Sequence, residues 1–439
     1  MHAKARVAFW SSLVVYLSCA QCAGTTPHAE LVRAVEQGQH AAALEFYVKH
    51  GRDPALLREW SGDLLLHAAR SEDASQSASA WTELALLGTR ATVWLSRLER
   101  AGQAETPATA STRAQLVRAR ALQLRAALGH GDALSTLRDL LTSPDADVAD
   151  LAYSTLDADD DWSLLESALQ GPRATRRGIA LRRLTQARTF TPAQVALLQN
   201  SARLDPAPNL RAAALFALER QGLAALPAFE AALHDPDEQV QAAALAGLGK
   251  LDAQRALAEL DKQLGAAVSA RGIAAAAALL HMRPVQEKDR AWAALQAALT
   301  STDATLRARA AFTISTLDRE PEQRALLRER LRTEPLASVK LALALALGKN
   351  EPDAITALVL LSQANSVAGV QAAAELAPSS EPARKHVRER LTSASPLVRA
   401  TAVRLAAGLL NDPSALAPLL ADATWQVRQA AAGALLRSL

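Results

Sequence analysis

The sequence predicts an all-α chain, a right-handed α-solenoid of stacked helical hairpins, and three observations predict it. Half of the 439 residues are hydrophobic but only 4% are aromatic, so the apolar content is mostly Ala and Leu, the strongest helix formers. Runs of β-branched residues alternating with polar ones between Gly-rich turns are scarce. A short polar turn followed by an Ala/Leu helix, clearest from Asp235 to Asp252, returns in weakened copies along most of the chain.

The first 22 residues read as a leader. His2, Lys4 and Arg6 precede a largely apolar run of 11 residues from Val7 to Leu17, and small residues follow through Ala23-Gly24. Charged start, greasy core and small-residue exit make a secretory signal. The run is too short for the roughly 20 residues a membrane-spanning helix needs. Leu17-Ser18-Cys19 resembles the bacterial lipoprotein signal, with Tyr16 where that family usually has Leu. The resemblance implies lipidation of Cys19 as the new N-terminus. Ser18-Cys19-Ala20 also fits ordinary signal cleavage, and both remain open. Cys19 and Cys22 are the only cysteines, so the rest of the chain has no disulfide and no thiolate metal site.

Residues 23–105 predict helical hairpins without a fixed period. Amphipathic patterns cover 29–37, 41–49, 54–70, 77–87 and 91–101, separated by Gly38, Gly51-Arg52-Asp53, Glu72-Asp73 and Gly88-Thr89. Trp60, Trp81 and Trp94 fall here, and their rings are expected to fill the gaps between hairpins. The polar spacer Thr106–Thr112 marks a boundary.

From 106 to 439 about eleven repeats follow. Each second helix has an anchor as its first buried residue: Val117, Val148, Arg176, Leu210, Val240, Ala270, Leu306, Val339, Val370, Val398 and Val427. Ten intervals over 310 residues give a mean of 31. Four residues beyond the anchor stands Ala in every unit except the one with Leu343. A small residue one turn along lets neighbouring helices approach closely. Arg177-Gly178-Ile179-Ala180 recurs as Arg271-Gly272-Ile273-Ala274. Three residues before the anchors stand Asp145, Asp237, Asp303, Ser395 and Thr424, all suited to N-caps, and Pro396 follows at a first helical position. First helices are expected over 223–233, 253–264, 290–299 and 321–331.

These features resemble the HEAT-repeat family, in the short form similar to the repeats of phycobilisome lyases. The matching residues are Asp235-Pro236-Asp237, Val240, Ala243-Ala244-Leu245 and Leu248-Gly249, and again Leu397-Val398-Arg399 with Ala402. The resemblance covers roughly 113–439 and implies architecture, not activity.

The chain has 48 basic and 45 acidic residues, a balance that does not by itself suggest a nucleic-acid binder. No Gly-rich phosphate loop, nucleophile elbow or His-Glu-x-x-His helix occurs. None of the nine histidines precedes Glu, whereas the iron-holding deoxyhypusine hydroxylases of HEAT-like build carry His-Glu pairs. Asp157, Asp159, Asp160 and Asp161 crowd one turn, but Gly and a distal Glu for a calcium loop are missing. Helix capping and solvation account for them better.

One constellation stands out. The residue after the anchor is basic in eight of eleven units, as Arg118, Arg177, Arg211, Arg271, Arg307, Lys340, Arg399 and Arg428. Two readings stand side by side. The arginines bond acidic turn residues of the next unit, such as Asp145, Asp237 or Asp303, or Arg177, Arg211, Arg271, Arg307, Lys340, Arg399 and Arg428 form a basic stripe that binds a partner.

The reading is a non-enzymatic protein-binding scaffold, exported to the bacterial cell envelope as a periplasmic or outer-membrane lipoprotein. It needs no cofactor and no metal. Membrane contact is expected only through the N-terminal lipid, and nucleic acid is not an expected partner. Two alternatives are a lyase-like or glycosylase-like enzyme or enzyme subunit, and a cytosolic nucleic-acid-binding solenoid. The last helix, near 425–439, repeats the internal pattern with no capping helix after it. It is therefore expected to be a contact surface for a second copy or a partner.

Overall fold

The computed structural model describes residues 27–103, 112–251, 268–281, 288–317, 321–348, 350–409 and 413–439. The leader with Cys19, most of the polar spacer and the expected helix over 253–264 lie outside them. Among the described residues the chain is helical with no strand, as its composition predicts. No helix there is long and apolar enough to cross a membrane.

Two compact units form. Among the described residues, one joins the helices before residue 99 to those from 387 onward, and the other holds those between. The units therefore part elsewhere than at the spacer, because the last repeats pack with the N-terminal hairpins.

In the unit of chain ends, the five expected helices are Pro27–Glu36, His40–Lys49, Pro54–Ala69, Ala74–Leu86 and Thr92–Gln103. Asp53 caps the third through the Ala55 N–H, with Pro54 next to it, and Asp73 caps the fourth through Ser75 and Gln76. Trp60, Trp81 and Trp94 are buried. The Trp94 ring lies where a Cβ on residue 62 would collide with it, so Gly62 is required there.

The C-terminal helix Trp425–Ser438 packs against both the Pro54–Ala69 and Ala74–Leu86 helices. Its repeat face buries Val427, Ala431 and Leu435, and its other side buries Ala432, Ala434 and Leu436. Glu83, 1% exposed, accepts hydrogen bonds from Arg404 Nε at 3.1 Å and Arg437 Nη1 at 3.0 Å. A Cβ at Gly433 would collide with the Glu83 carboxylate. Buried Gln429 donates to the Gln76 carbonyl at 3.1 Å. The expectation that this end is an open contact surface is thus corrected. The chain's own N-terminal hairpins supply the missing cap.

In the larger unit, first and second helices alternate and one continuous core runs through it, from Leu156 and Leu165 past Phe229, Leu295 and Leu327 to Leu358. Second helices pack directly on the second helices of adjoining repeats. The Ala four beyond the anchor is the reason. Ala121, Ala152, Ala180, Ala214, Ala244, Ala310, Ala402 and Ala431 are fully buried. Ala274 and Ala374 are only partly buried, and Ala275, Ala276, Ala372 and Ala373 are buried instead, so the expected register slips in those two repeats.

Asp145, Asp237 and Asp303 cap as expected, accepting N–H bonds from residues two or three along. Ser395 and Thr424 make no capping bond with their side chains. Another correction concerns the expected helix over 223–233. A 3-10 segment Glu219–Ala225 comes first, with Gly222 at φ 59°, and the α-helix is only Leu226–Ala232. The Leu226–Ala232 helix presses the Phe229 ring against Gly247, where any Cβ would collide.

Candidate functional site

Two longitudinal stripes on the second helices carry the chemistry. The first is the basic one at the position after the anchor, and the structure places four of its arginines in a ladder between repeats. Arg211 Nε and Nη2 donate to both Asp235 carboxylate oxygens at 2.7 Å, while Nη1 donates to the Asp205 carbonyl at 2.9 Å. Arg177 grips Asp205 the same way at 2.7 and 3.1 Å. Arg307 grips Glu334, both bonds at 2.9 Å, and Arg399 grips Asp422 at 2.8 and 2.9 Å.

Each acid stands five residues before the next anchor and also accepts the backbone N–H two residues along: Ala207, Asp237, Leu336 or Thr424. The third arginine nitrogen binds carbonyls of its own turn, such as Ser301 and Thr302 for Arg307. Both partners are largely buried. The hydrogen bonds from Arg211 hold Asp235 below the usual carboxylate range, as those from Arg307 do for Glu334. Such bidentate charge-assisted pairs fix geometry as well as energy.

The partner-binding assignment of Arg177, Arg211, Arg307 and Arg399 is therefore corrected, because their donors are consumed inside the fold. The acids are also not the capping residues the sequence suggested. They lie two residues upstream of Asp237 and of Thr424 and five before each anchor, a covariation that the sequence already contained.

The rest of the stripe lacks that acid. Five residues before the following anchors stand Ser143, Ser301 and Asn365, opposite Arg118, Arg271 and Lys340. Among the described residues, Arg118 Nε and Arg271 Nε are buried without a hydrogen-bond partner, and Arg271 lies 3.5 Å from the exposed Glu238. Arg428 Nη1 bonds the carbonyls of Asp422 and Ala423, and burial lowers its pKa. At the Arg176 anchor a cation replaces the apolar residue. It bonds buried Asp150 at 2.6 Å and lies over the Tyr153 ring at 4.6 Å.

The second stripe was missed from sequence. It comprises the positions one before, three after and six after the anchor, which are exposed in some repeats and buried in others, as at Ile179, Ile273 and Ala276. It carries Phe216 at 51% exposure, Phe312 at 70% and Leu345 at 39%, and in the other unit Leu397 at 65%. In the first three repeats the same positions line a groove with Leu116, Arg120 and Gln123 from one helix, Leu151 and Ser154 from the next, and Ile179 and Arg182 from the third. The available signal was periodic: apolar residues at a fixed offset from the anchor that burial did not require.

Two other clusters have internal explanations. Asp157 accepts the Asp159 and Asp160 N–H groups, and Asp161 bonds Arg138 at 2.7 Å and the Asp157 N–H at 2.8 Å. These bonds close the turn itself, and Asp161, at the N-cap of the Trp162–Gln170 helix, makes no side-chain capping bond. Among the N-terminal hairpins, His28, Glu59 and Asp63 come together. Burial raises the Asp63 carboxyl to about 6. Arg97 donates to both Glu59 oxygens at 2.8 and 3.3 Å and lies 3.6 Å from Asp63, so a guanidinium already supplies positive charge to the cluster.

No curated protein matches the chain. Among solved structures, the chain is similar to that of Kap95p binding RanGDP, with 12% identity, 92% of this chain and 70% of that one covered, and a TM-score of 0.37. It is similar to UNC-45 from Drosophila melanogaster at 16% identity, covering 90% and 71%, with a TM-score of 0.35. It is also similar to the CpcE and CpcF complex of phycocyanin lyase from Nostoc sp., at 19% identity, covering 68% and 92%, with a TM-score of 0.25. Residues 195–280 match the family model for HEAT repeats, in keeping with the stacked helical pairs of the described residues.

Proposed function

We propose that the chain is a non-enzymatic scaffold that holds a partner protein along the solvent-facing stripe of its second helices. One observation carries this reading: large apolar side chains, Phe216, Phe312 and Leu345, stay exposed at the same offset from the anchor in three separate repeats. Exposed aromatics on a rigid helix face are favoured anchors for a protein partner. Scattered apolar residues need no explanation, but a fixed register does. The leader supports export to the cell envelope, with Cys19 as the lipid attachment point.

The test captures partners from detergent-solubilised envelope with the wild-type chain and with Phe216→Ser/Phe312→Ser. The control is Leu204→Ser, equally apolar and exposed but on a first helix. A protein identified by mass spectrometry that the wild type and the control retain and the double variant loses supports the face. Equal retention by all three refutes it. Mass spectrometry of the native N-terminus separates an acylated Cys19 from a simply cleaved start, and an intact Met1 in the cytosol overturns export.

A further inference from the structure

The groove at the start of the larger unit's repeat array has a chemistry of its own. It has a volume of about 350 Å³ and is framed by three consecutive second helices. Leu116, Leu151 and Ile179 provide apolar walls. Arg120 and Arg182 provide cations, and the Ser154 hydroxyl, bonded by the Gln123 amide, sits between them in register.

Arg120 is the informative residue. It is half-buried, and among the described residues its side chain makes no hydrogen bond or ion pair. Burial and the neighbouring Arg113 guanidinium both disfavour its charge. Four largely buried arginines of the stripe after the anchor are matched by a carboxylate, as Arg177 is by Asp205. Of the two acids in the groove, Asp147 favours the Arg120 cation only through its charge, without a hydrogen bond or ion pair to it. Asp150 is committed to Arg173 and Arg176, and Asp147 to Arg173. A partly desolvated cation without a hydrogen-bonded acid favours an oxyanion brought from outside.

We propose that this groove binds a carboxylate side chain of an acidic polypeptide segment, with Arg120 and Arg182 as its ligands. The proposal rests on the protein-binding reading above and names the chemistry at one end of the same face. Two features favour a polypeptide carboxylate over a phosphate. Asp147 on the wall repels a doubly charged group more than a singly charged one. The apolar walls suit the methylene stem of a glutamate, and the stripe continues at the next repeat to Phe216, where an apolar side chain of the same segment would rest.

The probe is a fluorescein-labelled hexaglutamate peptide, titrated by anisotropy against the mature full-length chain at low salt. Arg120→Gln/Arg182→Gln should lose about tenfold or more in affinity, since charge-assisted contacts are removed. Arg188→Gln, which removes a 90% exposed cation away from the groove, should change little. Arg182→Gln alone, at an exposed position, guards against misfolding of the double variant and should show an intermediate loss.

Equal affinity of the wild type and the double variant overturns the proposal. So does an equal loss in Arg188→Gln, which would mean unspecific charge attraction. Displacement of the peptide by inorganic phosphate more readily than by glutarate also overturns it. Sedimentation of the wild type, but not the double variant, with phosphatidylglycerol vesicles would assign the groove to a lipid headgroup instead. Failure here leaves the Phe216/Phe312 capture result standing, so the two readings fail separately.

Discussion

Two stripes run along the same second helices, a residue or two apart in register, and their fates are opposite. The stripe after the anchor is charged yet withdrawn from solvent, its arginines spent on acids of the next repeat. The stripe formed by the positions before, three after and six after the anchor keeps large apolar side chains exposed at Phe216, Phe312, Leu345 and Leu397. Residue type alone would assign the binding role to the first and burial to the second. The structure instead withdraws four arginines of the first, because a planar guanidinium satisfied on all sides is a good inter-repeat fastener. A rigid helix layer, for its part, can keep aromatic rings exposed at small cost in flexibility.

The comparison breaks most sharply at Arg211. Arg211→Ala leaves Asp235 buried without its cation and uncovers the Asp205 carbonyl. Removing one partner of such a pair costs about 3–5 kcal/mol. Thermal or urea denaturation should show that loss, with Arg120→Ala on the other stripe far milder. The double variant Arg211→Met/Asp235→Asn should recover much of the loss, because the orphaned charge is gone. An Arg211→Ala chain as stable as wild type would dissolve the ladder.

A smaller effect separates Ala244 from Ala246. Ala244 is fully buried between neighbouring repeats, and Ala246, two residues on, lies partly exposed on the second stripe. Ala244→Leu should cost about 1–3 kcal/mol by overpacking, and Ala246→Leu should stay within about 0.5 kcal/mol. Equal melting temperatures would mean that the register of this repeat is misplaced.

Much of this was readable in the sequence, and the limit was set by contact range. The five N-terminal helices, the buried Ala of the second helices and the Asp145, Asp237 and Asp303 caps follow from local pattern. The ladder spans 24 residues from Arg211 to Asp235 and becomes readable once the anchor register is fixed. Contacts such as Glu83 with Arg437, 354 residues apart, leave no periodic trace. The open C-terminus was inferred for that reason. The slips at Ala274 and Ala374 have another origin: in a chain so rich in Ala, several neighbouring residues can fill the same small site.

The unit of chain ends adds a pH contrast of lesser size. Burial first, then Arg428 and His67, lowers His40 to about 4. A folded-state pKa below the ordinary 6.5 means that the unfolded chain binds the proton more readily. His40 therefore subtracts stability as pH falls from about 6.5 towards 4. Asp63 acts in the opposite direction. Burial raises it to about 6, so the folded state takes the proton first and Asp63 adds stability as pH falls through 6. His40→Gln should flatten or reverse the decline in melting temperature between pH 7.5 and pH 5. An unchanged pH profile in the variant would remove His40 from this role.

The smallest expected effect sharpens the comparison most. Phe312 is 70% exposed, although its neighbour Ala311 is fully buried and Ala310 lies against the next helix layer. Phe312→Ser gives up only the smaller, covered part of the ring, so its change in stability should lie within about 0.5 kcal/mol. Were the ring part of the core, the same truncation would cost several times more. A near-zero stability change together with loss of a captured protein would show that the chain keeps this ring for contact rather than folding. A large destabilisation would place Phe312 in the core, and the second stripe would then have no claim to be a binding face.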